Sequence, residues 1–252
     1  LVIGEKGTRM KIALYGYGKM GKAIEQVAIS RGHEVVLRVG QGNAGAAPVG
    51  ADVAIEFSTP TTAMQNMRLC LEKKVPVVVG TTGWYDHLGE IKSLVQAEQG
   101  ALLWASNFSI GVNLFFKLNK YLAGLMDGQP GYAGRIDESH HVHKLDAPSG
   151  TAITLARDIA LRSGRYTGWE KDLGETQTVP PGKAPLIPIG SERIGEVPGT
   201  HHVQWASAED KITITHEAFG RQGFATGAVV AAEWLYGRTG LFTMDDVLDT
   251  NR

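Results

Sequence analysis

The sequence predicts an α/β protein in which an open, mostly parallel sheet comes first and a smaller α+β domain second. Three observations predict it. Apolar runs of strand length alternate with amphipathic runs of helical length across residues 11–105, the pattern of βα units feeding a parallel sheet. Gly16-x-Gly18-x-x-Gly21 lies between the first such strand and the first such helix, the context that marks a Rossmann-like domain. After Gly111 the alternation gives way to Gly- and Pro-punctuated segments mixed with further helices.

The elements follow in order. Residues 11–15 form a short apolar strand. Residues 22–31 carry Ala23, Ile24, Val27 and Ala28 at helical spacing and close at Gly32, and residues 34–39 read as the second strand. Together they make a βαβ unit with a right-handed crossover. Residues 40–50 are Gly-rich and lack a helical pattern, so the second crossover is unusually short. A third strand spans 51–57, and Thr61 or Thr62 is placed to cap a helix reaching residue 73. Strand 75–79, helix 85–99 and strand 101–105 complete the alternation. Beyond it, 114–126 and 152–163 read as helices, 134–143 and 211–218 as strands, and 225–236 as a small-residue helix returning to the first domain. The expected division is 10–109 plus 221–252 for the dinucleotide-binding domain and 110–220 for the second.

Composition narrows the class. A hydrophobic content of 43% with a net charge of −1 is ordinary for a globular protein and offers no field to attract nucleic acid or an anionic membrane. Cys70 is the single cysteine, which rules out an intramolecular disulfide and fits a reducing, cytoplasmic setting. No apolar run reaches membrane-spanning length, and residues 1–9 lack the apolar core of a secretory signal, with Met10 the expected start.

The glycines of the first loop have separate roles. Gly16 allows a tight turn, Gly18 the close approach of a pyrophosphate, and Gly21 helix–strand packing. Tyr17, Lys19 and Met20 fall within the same cradle. An acid closing the second strand would hold the adenosine ribose and favour NAD. Here that strand carries Arg38, and no acid follows until Asp52. With Lys19, Arg38 suits a 2′-phosphate and leans the cofactor toward NADPH over NADH; stacking on adenine or facing solvent is the alternative. Three polar loops, 57–60, 80–83 and 105–108, lie just beyond strand ends, where ligands of open α/β sheets bind. They bring Gly80, Thr81, Thr82, Ala105, Ser106, Asn107 and Phe108 to the cofactor side.

The densest chemistry lies in Ser139-His140-His141-Val142-His143-Lys144-Leu145-Asp146-Ala147-Pro148-Ser149-Gly150-Thr151-Ala152. Histidine titrates near neutrality, lysine supplies a cation, and a Ser-Gly-Thr helix opening presents free N–H groups to an anion. Adjacent His140 and His141 point to opposite sides of an extended strand, which disfavours a shared metal, so no metal is expected. His143 reads as a surface residue, and packing or an oligomer contact serves His201 and His202 at least as well as a role at the site.

Taken in order, 16–21, 56–60, 80–83, 106–113, 140–152 and the run from Ile214-Thr215-His216-Glu217-Ala218 to Gly240-Leu241-Phe242 closely resemble the dihydrodipicolinate (4-hydroxy-tetrahydrodipicolinate) reductase family. The resemblance covers nearly the whole chain from Met10. It implies NAD(P)H-dependent reduction of 4-hydroxy-tetrahydrodipicolinate to tetrahydrodipicolinate with loss of water, in lysine biosynthesis through diaminopimelate. It further implies His140 as proton donor or acceptor, Lys144 as second proton donor, and carboxylate binding by His141, Ser149, Gly150 and Thr151. Arg193, in the loop that leads to His201 and His202, is open to a place near the substrate or to a packing or oligomer contact. The second domain becomes a substrate-binding and oligomerisation domain, in a homotetramer. Two features depart from the family pattern: the Gly loop is one residue shorter than the common form, and the ribose-binding acid is missing. A related imine or amino-acid dehydrogenase would share the cofactor half and differ at the histidine segment. A non-catalytic NADPH-binding sensor would have no need of Lys144.

Overall fold

The computed structural model describes residues 8–172 and 185–249. Leu114–Gly220 forms one compact unit, and the chain on either side of it forms the other. The strands, in chain order, are β1 (Lys11–Tyr15), β2 (Glu34–Val39), β3 (Val53–Glu56), β4 (Val77–Val79), β5 (Ala101–Trp104), β6 (Ala133–His140), β7 (Trp169–Lys171), β8 (Ile187–Arg193), β9 (Thr200–Ala206), β10 (Lys211–Glu217) and β11 (Gly240–Phe242). The helices are α1 (Lys19–Ser30), α2 (Pro60–Glu72), α3 (Leu88–Ala97), α4 (Ile110–Asp127), α5 (Gly150–Arg162), α6 (Gln222–Leu235) and the short α7 (Met244–Val247).

The first unit is a parallel sheet in the order β11-β5-β4-β3-β1-β2, the Rossmann-like arrangement expected from the alternation. Because successive side chains of a strand point to opposite faces, each strand feeds two cores. Ile12 and Leu14 of β1 join Ile55, Val78 and Leu103 under α1 and α6. Ala13 and Tyr15 join Ala54, Val77, Val79 and Leu102 under α2 and α3. Small residues let α6 lie close: a Cβ on Gly227 would fall 1.7 Å from the Phe108 carbonyl oxygen.

The second unit is a mixed sheet in the order β10-β9-β6-β8-β7. Ile136, Ile189, Val203 and Trp205 alternate inward against Leu122 and Met126 of α4 and Leu155 and Ile159 of α5. On β6 the inward register is Gly134, Ile136, Glu138 and His140, so an apolar row ends in two ionisable residues.

Several boundaries differ from those the sequence predicts. Neither Thr61 nor Thr62 caps α2: Thr59 is the N-cap, without a side-chain cap bond, and Pro60 takes the first helical position. Proline is preorganised there and has no N–H to leave unpaired. Helices α1 and α4 start earlier than their apolar periodicity, at Lys19 and Ile110, because the first turn of each carries polar or Gly residues that the period does not register. Strands β7, β8, β9 and β11 add to the predicted set; Pro188 and Gly190 interrupt the strand signal of β8, and β7 and β11 have three residues each. The β2–β3 connection carries only a single 3₁₀ turn, Gln41–Asn43, and no α-helix. Cys70 is buried in α2.

Candidate active site

In the first unit the C-terminal ends of the parallel strands share one edge, and the Gly loop sits on it. Gly16 has φ +92° and stacks so closely on the next strand that a Cβ would lie 2.0 Å from the Phe57 carbonyl oxygen. A Cβ on Gly21 would lie 2.3 Å from the Gly16 carbonyl oxygen. Gly18 is different: nothing lies within 4 Å of where its Cβ would be. It is the N-cap of α1 and offers no side-chain cap, and the first helical bond runs from the Lys22 N–H to the Gly18 carbonyl. The N–H groups of Lys19, Met20 and Gly21 therefore precede the intrahelical ladder, as an anion site requires.

This loop borders a cavity of about 620 Å³ lined by Gly16, Tyr17, Gly18, Gly40, Phe57 and Ser58, among others. The short β2–β3 connection supplies part of its wall through Gln41, Ala44 and Gly45. Two glycines that the packing demands, and a third facing open space beside an uncapped helix, fit a dinucleotide pyrophosphate. Buried Glu56 organises the next loop: its Oε1 accepts the Ser58 N–H at 3.1 Å and the Asn66 amide at 3.3 Å. Burial pushes Glu56 above the ordinary carboxylate range.

Arg38 stands near the end of β2 but is not free. Its Nε donates to Glu25 Oε1 at 2.8 Å, and its guanidinium lies 5.9 Å from the Tyr17 ring centre, while the Tyr17 hydroxyl bonds the same carboxylate. Gly80, Thr81 and Thr82 follow β4, and Ala105 to Phe108 follow β5, at the shared sheet edge. Phe108 itself is a core residue, its ring 5.6 Å from that of Phe57, so only its backbone is available to a ligand. The Thr81 carbonyl accepts the Trp84 indole N–H at 2.8 Å. Asn107 Oδ1 accepts the Ser109 N–H at 2.8 Å, closing the turn into α4.

In the second unit the strand register assembles a charged cluster. Glu138 pairs directly across from His201 on β9, and His140 across from Arg193 on β8. The Glu138 side chain is fully buried. Its Oε1 accepts the Ser149 N–H at 2.9 Å and lies 3.4 Å from Arg193 Nη2. Its Oε2 lies 3.4 Å from His140 Nδ1 and 3.5 Å from His201 Nε2. Burial alone would raise Glu138, but His201, Ser149 and Ser191 around it hold it down to about 2. His140 goes the other way: burial, outweighing the attraction of Glu138 and reinforced by His201, Lys144 and Arg193, lowers it to about 4.

Ser149 caps α5, its Oγ accepting the Ala152 N–H at 3.2 Å and meeting His201 Nε2 at 3.0 Å. The Gly150 and Thr151 N–H groups precede the first helical bond, from Ile153 to the Ser149 carbonyl. Lys144 Nζ donates to both Asp146 carboxylate oxygens at 2.8 Å. Arg193 reaches into the same loop, Nε donating to the Lys144 carbonyl at 3.3 Å and Nη2 to the Asp146 carbonyl. His141 is half-buried, and exposed His143 meets Glu196 at 3.2 Å.

Sequence reasoning passes over Glu138, and it leaves His201 to packing or an oligomer contact as readily as to the site. A signal for both exists: each sits in the inward register of its strand, Ile136-x-Glu138-x-His140 and His201-x-Val203-x-Trp205, where an ionisable side chain is out of place unless it is paired. Glu138, His140 and His201 also bring potential metal-ligating atoms within 4.8 Å of one another.

The comparisons bear on the whole chain. The family model described as "Dihydrodipicolinate reductase, N-terminus" matches residues 10–108, and the one described as "Dihydrodipicolinate reductase, C-terminus" matches 111–248. A 4-hydroxy-tetrahydrodipicolinate reductase of Christiangramia forsetii is 47% identical over 241 residues, 95% of this chain and 98% of that protein. One of Neisseria meningitidis serogroup C is 34% identical over 269 residues, covering 97% and 99%. A solved structure, dipicolinate-bound dihydrodipicolinate reductase from Paenisporosarcina sp. TG-14, superposes with a TM-score of 0.78 at 23% identity, covering 96% of this chain and 100% of that one. That last likeness concerns the fold.

Proposed function

The chain belongs to the dihydrodipicolinate reductase family, and from that premise we propose that it reduces 4-hydroxy-tetrahydrodipicolinate to tetrahydrodipicolinate, with release of water, in the diaminopimelate route to lysine. The observation that carries the chemistry is the tie between proton-handling strand and anion-binding helix. Glu138, two residues from His140, accepts the N–H of Ser149, the N-cap of α5. One carboxylate thus lies between an imidazole and a helix N-terminus.

The substrate is a dianion, so donors must converge on it. The Gly150 and Thr151 N–H groups, with His141, receive a carboxylate at the positive end of α5. Lys144 supplies a further cation, exchanging its Asp146 partner for the substrate. His140 is neutral at pH 7 in the free protein. A bound dianion raises its hold on a proton, which lets it take up and deliver the proton that the reduced ring requires. Loss of the hydroxyl as water takes a proton on the leaving oxygen, with Lys144 the second donor. It also releases a ring C–H proton as the new double bond forms, so the whole reaction consumes one proton. The nicotinamide cofactor supplies the hydride. Gly16 to Met20 would hold its pyrophosphate, with Gly80, Thr81, Thr82 and Ala105 to Phe108 toward the nicotinamide end.

Arg38, near the end of β2 and exchanging its Glu25 partner for a 2′-phosphate, would favour NADPH over NADH. A homotetramer built through the second unit's sheet, working in the cytoplasm, completes the proposal; among the described residues no helix is long and apolar enough to cross a membrane. Oxidation of NADPH and NADH is to be followed with freshly generated substrate. Loss of turnover in His140→Gln and Lys144→Ala with NADPH affinity retained is the expected result. Dinucleotide binding with no turnover by the unaltered protein would sink the reductase reading. Arg38→Ala is expected to weaken NADPH more than NADH.

A further inference from the structure

Among the described residues Glu138 is the most heavily buried charge of the second unit, and its two oxygens face different groups. Glu138 Oε1 is occupied by the Ser149 N–H at 2.9 Å, with Arg193 Nη2 at 3.4 Å. Glu138 Oε2 has no hydrogen-bond partner among the described residues, yet it lies 3.4 Å from His140 Nδ1 and 3.5 Å from His201 Nε2. A carboxylate removed from water is costly unless its surroundings compensate. Here the compensation comes from three different elements: α5 through Ser149, β8 through Arg193 and β9 through His201.

We propose that Glu138 is a positioning residue for the reaction, one oxygen setting the tautomer and ring plane of His140 and the other setting the first turn of α5. The inference rests on the reductase reading above. A carboxylate facing Nδ1 favours the tautomer with the proton on that nitrogen. Nε2 is then left as the lone-pair atom, over Gly199, whose missing side chain keeps it uncovered: a Cβ there would lie 3.0 Å from Nε2. The same carboxylate draws the Ser149 N–H and so fixes where the Gly150 and Thr151 N–H groups present themselves. Proton transfer and carboxylate capture therefore keep one common frame. The charged or titratable groups around His140 are Glu138 on its own strand, Arg193 on β8, His201 on β9 and Lys144 in the following loop.

Glu138→Gln separates the two halves of this role, because an amide oxygen still accepts the Ser149 N–H while the charge facing His140 is lost. The expected result is a fall in kcat of at least about tenfold, the scale of a mispositioned acid–base group. KM for the substrate should stay within about threefold, as should the affinity for pyridine-2,6-dicarboxylate used as a non-reacting probe. The limb of the pH profile that tracks His140 should move to lower pH. In the unaltered protein, imidazole nitrogen NMR should show His140 with its proton on Nδ1. A wild-type kcat in Glu138→Gln, equal losses of kcat, dicarboxylate affinity and cofactor affinity, or a His140 proton on Nε2 would each overturn the proposal. If the variant does not fold, the tautomer in the unaltered protein decides. Absence of turnover by the unaltered protein counts against the reductase reading instead, and the tautomer and dicarboxylate measurements still judge Glu138.

Discussion

Replacing His140 with Gln should make the protein less sensitive to acid, although it removes a group from the proposed site. His140 is buried and held at about 4 against an ordinary 6.5, so folding keeps it neutral where the unfolded chain would protonate it. Stability from this source is fully present above 6.5 and is lost as pH falls toward 4. At about 1.36 kcal/mol per tenfold change in proton affinity, the full loss is about 3 kcal/mol, of which about 2 kcal/mol is gone by about pH 5. Glu138, held at about 2, loses its own contribution only as pH falls below its ordinary 4.5, beneath the pH range compared. Half-buried His216 is also lowered, but it is common to both proteins. Urea unfolding followed by tryptophan fluorescence at about pH 7.5 and about pH 5 gives the two free energies for each protein. The unaltered protein should lose about 2 kcal/mol more than His140→Gln over this range. Equal losses in the two would refute a buried, neutral His140.

The remaining expectations concern glycines and a competing carboxylate. Gly199 has φ +152° and lies against the His140 ring, so Gly199→Ala should lower kcat more than it raises KM, with a stability cost of about 1 kcal/mol, read from steady-state kinetics and thermal unfolding. Gly16→Ala should prevent or severely weaken folding because its Cβ would collide with the Phe57 carbonyl, whereas Gly18→Ala should leave the melting temperature nearly unchanged and raise the dinucleotide Kd. Titration of NADPH fluorescence separates the two; a cofactor affinity unchanged in Gly18→Ala would count against the pyrophosphate site. Asp146→Asn releases Lys144 from an exposed ion pair and should lower the substrate KM by about two- to threefold, the modest size expected of such a pair. An increase in KM would mean that Asp146 orients Lys144 rather than competing for it.

The first unit is legible in the sequence because its signals are local. Strand, Gly turn and helix follow one another within 11–30, and each apolar strand sends alternate residues to two covered faces. In the second unit the helix opening at Ser149 is visible, since capping is decided within four residues. The partners of that opening are not. Glu138 meets Arg193 across 55 positions, and Ser149 meets His201 across 52, through pairings of β6 with β8 and β9 that no local period encodes. Arg38 shows the converse limit. Its place near the end of β2 is plain from the chain, but its engagement by Glu25, thirteen residues earlier on α1, emerges only once helix and strand are folded together.

The chain leaves its first unit within α4 and returns to it at α6, and that has a bearing on synthesis. Helix α6 closes one face of the parallel sheet over Ile12, Leu14, Ile55, Val78 and Leu103, and β11 supplies an edge strand beside β5. A nascent chain that has emerged only as far as β10 carries these strands with that face covered by α1 alone. The apolar patch persists until the last segment clears the ribosome, a window in which a holding chaperone would find it. The interposed second unit, by contrast, has all its strands and α5 in hand by Glu217. Vectorial emergence thus favours completing the inserted unit first, and the unit that begins the sequence is the one to finish last.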